Sequence, residues 1–469
     1  MNGIVAHGSY IPYYRLERKA VADALGAPAG KGTRSVASYD EDTTSLAVEA
    51  ARAALRGAAG IPPAGIYFAT AGPAYLDKTN AAAIHAALDL APGASAFDMA
   101  GSARSGMGAL RAALDAGRPT LAVLSDIRTG LPGGADEREG GDAAVAFLCA
   151  PESAEAPVLA TPIAWASATA EFLERWRLPG EAAAHQWEER FGEHVYLPLA
   201  ETALTEALKQ AGVTAGAVDH LVVAGTHTRA VKRAAAAAGT RQGSVADDLT
   251  GVIGNTGTAH AGLLLADALD RAQPGELIAM VSLADGADAV IWRTTGALAA
   301  RRAGASVASQ VAGGGRVSYA AFLTWRGFLD REPPRRPDPA RPDAPPSFRR
   351  EAWKFAFTGS RCLACGARHL PPQRVCVKCQ AVDRMTAERM ADVPATISTY
   401  TVDRLAYSLS PPVVAAVIDF DGGGRFQCEL TDVDPAAVKI GDRVEMTFRR
   451  PFTAGGVHNY FWKARPRHS

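Results

Sequence analysis

Hydrophobic positions follow two patterns along this chain: short apolar runs that mark buried strands, and three-to-four spacing that marks helices. GIVAHGSYIP reads as a short strand ending in a turn. From Asp40 to Leu55, DEDTTSLAVEAARAAL, the spacing becomes helical, with Asp42, Thr43 and Thr44 as N-cap candidates. AGIPPAGIYFATAG predicts a loop and a buried strand over Ile66 to Thr70, and a second helix follows from Asn80 to Leu90. The stretch from Asp98 to Leu114, DMAGSARSGMGALRAAL, reads as a loop entering a helix built almost wholly of small residues. Lacking a polar face, this helix is expected to be buried on all sides. Its N-terminus is suited to lower a thiol pKa or hold an oxyanion, yet it carries no cysteine. Two strands, Thr120 to Asp126 and Asp142 to Ala150, complete the half.

The second half repeats the order. Leu197 to Val213 is an amphipathic helix, VDHLVVAGTHT a buried strand, and Val252 to Leu269 a Gly/Thr loop entering a small-residue helix. Glu276 to Trp292 echoes the closing strand pair. The recurrence predicts an α/β domain with a duplicated five-layer fold over 1–300. Residues near 154–196, rich in Trp, Glu and His, have no counterpart and read as an insertion capping the second half. Next come a helix, Ser318 to Leu329, and EPPRRPDPARPDAPP, an extended proline-rich linker; together they form a segment over 301–347. A cysteine-rich ribbon over 348–385 follows. Short strands separated by Gly, Pro and Asp over 386–469 predict a small β-barrel.

Composition narrows the partners. Lys plus Arg equals Asp plus Glu at 49 each, so no overall field draws nucleic acid or anionic membrane. No apolar run spans a bilayer and no secretory signal is visible at the start. Cys362, Cys365, Cys376 and Cys379 form C-x2-C-x10-C-x2-C, two knuckles that place four thiolates around a structural Zn²⁺. An iron centre and a metal-free ribbon are the rival readings. Cysteines used this way point to the reducing cytoplasm. Cys149 and Cys428 sit in apolar strands and read as small core residues.

Residues 1 to about 300 resemble 3-hydroxy-3-methylglutaryl-CoA synthase of the archaeal type, a thiolase-superfamily enzyme. The resemblance rests on GIVAHGSYIPYYRL, DEDTTSLAVEAARAAL, FDMAGSARSGMGALRAAL, VIGNTGTAHAG and ELIAMVSLADGADA. Residues from about 318 resemble the DUF35 family, a rubredoxin-like zinc ribbon followed by an OB-fold, through SRCLACGARHLPPQRVCVKC and VKIGDRVEMTF. The resemblance implies a coenzyme A thioester as substrate, a homodimer, and a glutamate, a cysteine and a histidine at the reacting centre. At those positions this sequence has Ala71, Ala103 (beside Ser102) and Ala224; only the asparagine of the Gly-Asn-Thr loop persists, as Asn255.

With no cysteine before Cys149, a thiolate acyl-enzyme at the central helix is excluded. Ser102 and Ser105 need an adjacent base; His227 and His260 are candidates, or else helix-end and loop histidines facing solvent. Asn255 either helps bind a thioester carbonyl, as the resemblance implies, or shapes a turn. Arg229, Lys232 and Arg233 fall where the family places cations near CoA phosphates, or form a solvated helix face; Arg128 and Lys78 are weaker candidates. Three functions follow. One is an enzyme handling acyl-CoA or acyl-carrier-protein thioesters by acyl transfer or aldol-type C–C chemistry without a cysteine nucleophile. Another is a catalytically silent acyl-CoA-binding scaffold partnering a thiolase or condensing enzyme. The last, a single-stranded nucleic-acid binder through the barrel, lacks an evident stacking platform.

Overall fold

A computed structural model describes residues 2–26, 30–58, 60–300 and 305–467. Positions 301–304, where the linker segment was expected to begin, and 468–469, at the expected end of the barrel, lie outside the described residues. Contacts divide the chain into two units: Met1–Ala37, Leu46–Ala82 and Ala91–Tyr319 in one, Ser38–Ser45, Ala83–Leu90 and Ala320–Ser469 in the other.

The first unit is the duplicated α/β fold. Its first half contributes β1 (Asn2–Tyr10), β2 (Gly65–Thr70), β3 (Ser95–Ala100), β4 (Thr120–Ile127) and β5 (Asp142–Pro151). The second half contributes β6 (Ala160–Ala168), then, beyond a small hairpin of β7 (Arg175–Trp176) and β8 (His185–Gln186), β9 (His220–Gly225), β10 (Leu277–Leu283) and β11 (Ala287–Thr294). The strands run β9-β10-β11-β6-β1-β5-β4-β2-β3, and β1 meets β6 at the pair Ile4–Ala160. Read outward from that junction, both halves have the order first, fifth, fourth, second. β3 then adds parallel to β2, whereas on the outer side of β9 a bridge from Leu221 to Val245 stands in its place. The expected duplication is borne out.

Between the half-sheets lie α3 (Ser105–Asp115) and α6 (His260–Arg271), packed with Leu124, Val145 and Phe147 of the first half and Val222, Met280 and Val290 of the second in one core. Small residues make this possible: a Cβ on Gly106 would fall 2.5 Å from Leu124 Cδ2 and 2.6 Å from the Thr258 carbonyl oxygen. Outside the first half, α1 (Thr43–Gly57) approaches so closely that a Cβ on Gly8 would meet the Ala54 nitrogen at 2.3 Å. Outside the second half lie α4 (Glu189–Ala211) and α5 (Thr228–Ala237).

Three expectations are corrected. Burial on all sides belongs to α6, where every residue from His260 to Leu269 is buried, and not to α3. In α3 Gly108, Arg111 and Asp115 are exposed, the last two ion-paired at 2.7 Å one turn apart. Asp98 lies in β3 instead of a loop, and its carboxylate accepts from the Asn80 and Ala81 N–H groups at 2.7 Å, capping α2 (Ala81–Ala87). Finally, 154–196 is not one insertion: 160–168 is β6, paired along β11, and 189–196 opens α4. Within 154–196, it is the hairpin and its flanks that lack a counterpart among the described residues of the first half.

In the second unit, β12 (Thr358–Cys362), β13 (Arg368–His369) and β14 (Met385–Arg389) form the ribbon sheet. A closed five-stranded barrel follows from β15 (Ala395–Asp403), β16 (Val413–Phe420), β17 (Arg425–Leu430), β18 (Arg443–Ala454) and β19 (Val457–Pro466). The last strand, whose aromatics supply Tyr460 and the buried Trp462, is missed by the hydrophobic pattern. Ser38–Ser45, which opens α1, belongs here. Asp42 and Ser45 cap reciprocally, each side-chain oxygen accepting the other's N–H at 2.8 Å. Arg449, fully buried, holds Glu41 at 2.8 Å and Asp40 at 3.5 Å and also bonds Asp432; Lys463 holds Asp40 at 2.9 Å, and the Tyr460 hydroxyl donates to Asp42 at 2.6 Å. Among the described residues no helix is long and apolar enough to cross a membrane.

Candidate functional site

The two halves of the first unit enclose a small cavity. Ala103 comes from the turn before α3, Met107 from its first turn and Leu124 from β4; Ala224 to Thr226, Gly257, Thr258, His260, Ala261 and Ser282 to Ala284 come from the second half. Two of the three alanines at the positions that the resemblance marks as reactive, Ala103 and Ala224, thus face one space although 121 positions apart in the sequence. The third, Ala71, follows β2 outside this lining, and its carbonyl accepts from Arg177 Nη2 at 2.6 Å. Counting its open mouth, the cavity has an empty volume of about 320 Å³, and its enclosed part holds about one water.

The polar candidates around it are committed to the fold. Asn255 donates from Nδ2 to the Gly225 carbonyl at 2.7 Å and accepts the Gly257 N–H at 3.0 Å, closing a turn and tying the loop to the end of β9. His260 lines the cavity, but its Nδ1 faces the Thr256 N–H and hydroxyl at 3.3 Å and its ring also bonds the Asp248 main chain. Burial lowers its pKa to about 4, so it is neutral. His227 caps α5: Nδ1 accepts from the Ala230 N–H at 3.1 Å and Nε2 donates to the Glu189 carbonyl at 2.8 Å. Both histidines are 6% exposed or less, against the solvent-facing alternative, and in both the ring nitrogens are engaged. Ser102 and Ser105 bond one another, not a histidine.

The cations of α5 lie on an exposed helix face, the second of the two alternatives. Arg229 pairs with Glu189 at 3.1 Å and Arg233 with Glu193, both carboxylates lying on the opening turn of α4. Lys232 is exposed, with no ion pair among the described residues. Lys78 reaches only the Thr79 carbonyl, at 3.1 Å.

Sequence reasoning missed the hairpin's polar cluster. Asp136, in the short helix Ala135–Glu139, accepts from Arg175 at 2.5 and 2.9 Å, from Gln186 at 3.1 Å and from Arg128 at 3.2 Å. Burial opposes its ionisation, but the two guanidiniums outweigh that and hold its carboxyl below the usual range. On its other side the hairpin buries Glu174 beside His227, and Phe172 against Phe191 and Tyr196 of α4. The only sequence signal was the local wealth of Trp, Glu and His.

The second unit carries the metal-ligand set. The sulfurs of Cys362, Cys365, Cys376 and Cys379 lie within 4.8 Å of one another, Cys362–Cys379 at 3.6 Å and Cys365–Cys376 at 3.5 Å. A tetrahedral zinc with Zn–S bonds of about 2.3 Å sets sulfurs about 3.8 Å apart, so the cluster fits the ion. The knuckles match: Gly366 N–H donates to the Cys362 carbonyl and Gln380 N–H to that of Cys376, both at 2.9 Å and both from left-handed residues. N–H groups of Cys379 and Lys378 outweigh burial and lower the Cys376 thiol to about 5, favouring the thiolate a metal requires.

Comparison with known proteins agrees with both parts. Residues 355–385 match the family model "ChsH2, rubredoxin-like zinc ribbon domain" and 388–449 "ChsH2, C-terminal OB-fold domain". A hydroxymethylglutaryl-CoA synthase of Methanothermobacter thermautotrophicus is 29% identical over 348 residues, covering 70% of this chain and 99% of that protein. The synthase of Thermoplasma acidophilum is 30% identical over 302 residues, covering 61% and 85%. A solved structure of HMG-CoA synthase complexed with CoA shares the fold, with a TM-score of 0.59 at 18% identity over 69% of this chain and 89% of that one. With a second half that repeats the first, a cavity where the halves meet, and this identity over most of a relative's length, the chain belongs to the hydroxymethylglutaryl-CoA synthase family.

Proposed function

We propose that the first unit binds an acyl thioester of coenzyme A or of an acyl carrier protein and processes it without an acyl-cysteine, by acyl transfer or by making or breaking a C–C bond. The observation that carries this is the pairing of Ala103 and Ala224 across one cavity, in a family whose solved member was captured with CoA. Covalent catalysis through a thiolate has no group there, since no cysteine lines the cavity. Cys149 is buried in β5 with its thiol pushed up by burial, and the other cysteines belong to the second unit. Positioning and carbonyl polarisation remain, since neither requires a bond to the protein.

A second reading, a silent thioester-binding scaffold that works beside a thiolase or condensing enzyme, is favoured by the internal commitments of Asn255, His227 and His260. The experiment is to incubate the full chain with acetyl-CoA, acetoacetyl-CoA and longer acyl-CoAs, measuring binding by calorimetry and products by mass spectrometry. Turnover supports the enzyme, tight binding without product supports the scaffold, and absence of binding overturns both.

Two subsidiary assignments accompany this reading. The four ribbon cysteines hold a structural zinc, with no ligand position left for substrate, and free thiols suit a reducing cytoplasm. The strand β3 ends the sheet with Phe97, half-exposed and stacked on Tyr67, along its open edge. Pairing of that edge with a second copy gives a homodimer, which light scattering on the wild type and on Phe97→Asp tests.

A further inference from the structure

The two knuckles of the ribbon are built alike except at one point. Cys362 receives the N–H groups of Cys365 and Ala364; Cys376 receives those of Cys379, at 3.4 Å, and Lys378. The side chains that bond Cys362 are those of Cys379 and Cys376. Cys376 is bonded in addition by a side chain from outside the ligand set, that of His369 on β13.

The strand register explains how the imidazole comes to lie there. β13 pairs antiparallel with β12, with His369 opposite Ser360 and Arg368 opposite Arg361. Alternation along the strands puts Ser360, Cys362 and His369 on one face and the two arginines on the other. The arginine face is wet or paired: Arg361 is exposed, and Arg368 holds Glu388 at 2.6 Å. Ser360, Cys362 and His369 are all buried. Ser360 is already committed to Gln373, accepting its N–H at 2.9 Å and donating to its carbonyl at 3.3 Å. His369 Nε2 is buried and bonds no oxygen or nitrogen among the described residues. The sulfur of Cys376 is thus the acceptor that this face leaves for the ring.

We propose that His369 is a positioning residue of the metal centre: an imidazole N–H donates to the Cys376 thiolate, spreads part of its charge, and so holds that sulfur and the metal more tightly than the backbone donors alone. Four thiolates around a divalent ion leave a net negative charge, which is costly to bury unless hydrogen bonds take it up. Cys379 is exposed and can use water for this, whereas Cys376 is fully buried, so that protein groups have to supply its donors. The inference rests on the zinc reading of the ribbon and concerns how firmly the ion is kept.

The test uses the full chain loaded with zinc or with cobalt(II). Zinc affinity is measured by competition with a chromogenic chelator, and the sulfur-to-cobalt charge-transfer band by absorption. His369→Phe keeps a ring but removes the N–H, and is expected to weaken zinc binding about 10–100-fold. Its cobalt band is expected to move to lower energy, because a sulfur lone pair released from an N–H gives up its electron more readily. His369→Gln sets an amide N–H near the place of Nε2 and His369→Asn near that of Nδ1; the one that reaches the sulfur restores both readouts. A merely structural role would lower the melting temperature of the zinc-loaded chain and leave the band in place. Wild-type zinc affinity in His369→Phe, or weaker binding with an unmoved band, overturns the proposal and leaves zinc binding standing. Should His369→Phe not fold, identical bands in His369→Gln and His369→Asn overturn it as well. A wild type that binds neither metal removes the zinc reading and this inference together.

Discussion

Arg449→Met is expected to destabilise the second unit far more than removal of any exposed arginine. The guanidinium is fully buried and faces three carboxylates, those of Asp40, Glu41 and Asp432. Methionine fills comparable space but leaves those charges without their main partner; Lys463, 2.9 Å from Asp40, compensates only one. Breaking a buried pair from one side costs about 3–5 kcal/mol, because the remaining charge is stranded in a poor solvent for ions. Followed by the fluorescence of the buried Trp462, urea unfolding of this unit should shift its midpoint down by roughly 2 M. The control is Arg443→Met. Arg443 pairs with Asp421 at 2.5 Å, but about half of each side chain is in water, which screens the pair, so its loss should leave the midpoint nearly unchanged. Acidity supplies a second check. Burial opposes ionisation of Asp40, but Lys463 and Arg449 outweigh it and depress its pKa. Its stabilising contribution is therefore complete above the unfolded value of about 3.9 and is lost as pH falls through the lower folded value. The gap between wild type and Arg449→Met should narrow over that window. Equal midpoints for Arg449→Met and Arg443→Met would refute the reasoning.

Other consequences are simpler to measure. Metal analysis should give one zinc per chain, and a strong chelator should unfold the ribbon while leaving the circular-dichroism signal of the first unit; retention of native ribbon structure after complete zinc removal would contradict a structural role. Gly106→Ala should cost about 1–3 kcal/mol, since its methyl has to displace the Thr258 carbonyl as well as Leu124, and an unchanged melting temperature would show that the contact is slack. Asn255→Ala should destabilise the first unit by about 1–3 kcal/mol by orphaning the Gly225 carbonyl and the Gly257 N–H, read out as a lower urea midpoint.

Much of the architecture was legible because hydrophobic period and residue size are local properties. The repeated helix–loop–strand order gave the duplication, and the cysteine spacing gave the ribbon. Periodicity failed where burial depends on what packs outside an element. α3 and α6 have similar small-residue compositions, yet only α6 is enclosed on every side. β6 was hidden because ATPIAWASA lacks the long branched run of its counterpart, and β19 because its alternation is aromatic and charged. At the site, the alanines followed from alignment to a family pattern. The engagement of His227, His260 and Asn255 did not, because hydrogen bonds to main-chain groups leave no trace in residue type. Glu174 was invisible for a related reason: an acidic residue in a polar stretch reads as solvated until the fold closes over it.

The hairpin of the first unit is fastened by two unlike means near its base. On one side it is tied by charge, four donor contacts converging on Asp136; on the other it is seated by the rings of Phe172, Phe191 and Tyr196. Acid strong enough to protonate Asp136 releases the first fastening and spares the second. Cold weakens the second, whose strength comes from water's aversion to apolar surface, and spares the first. Acidification and chilling therefore loosen different fastenings of the same twenty-residue strap, roughly 169–188.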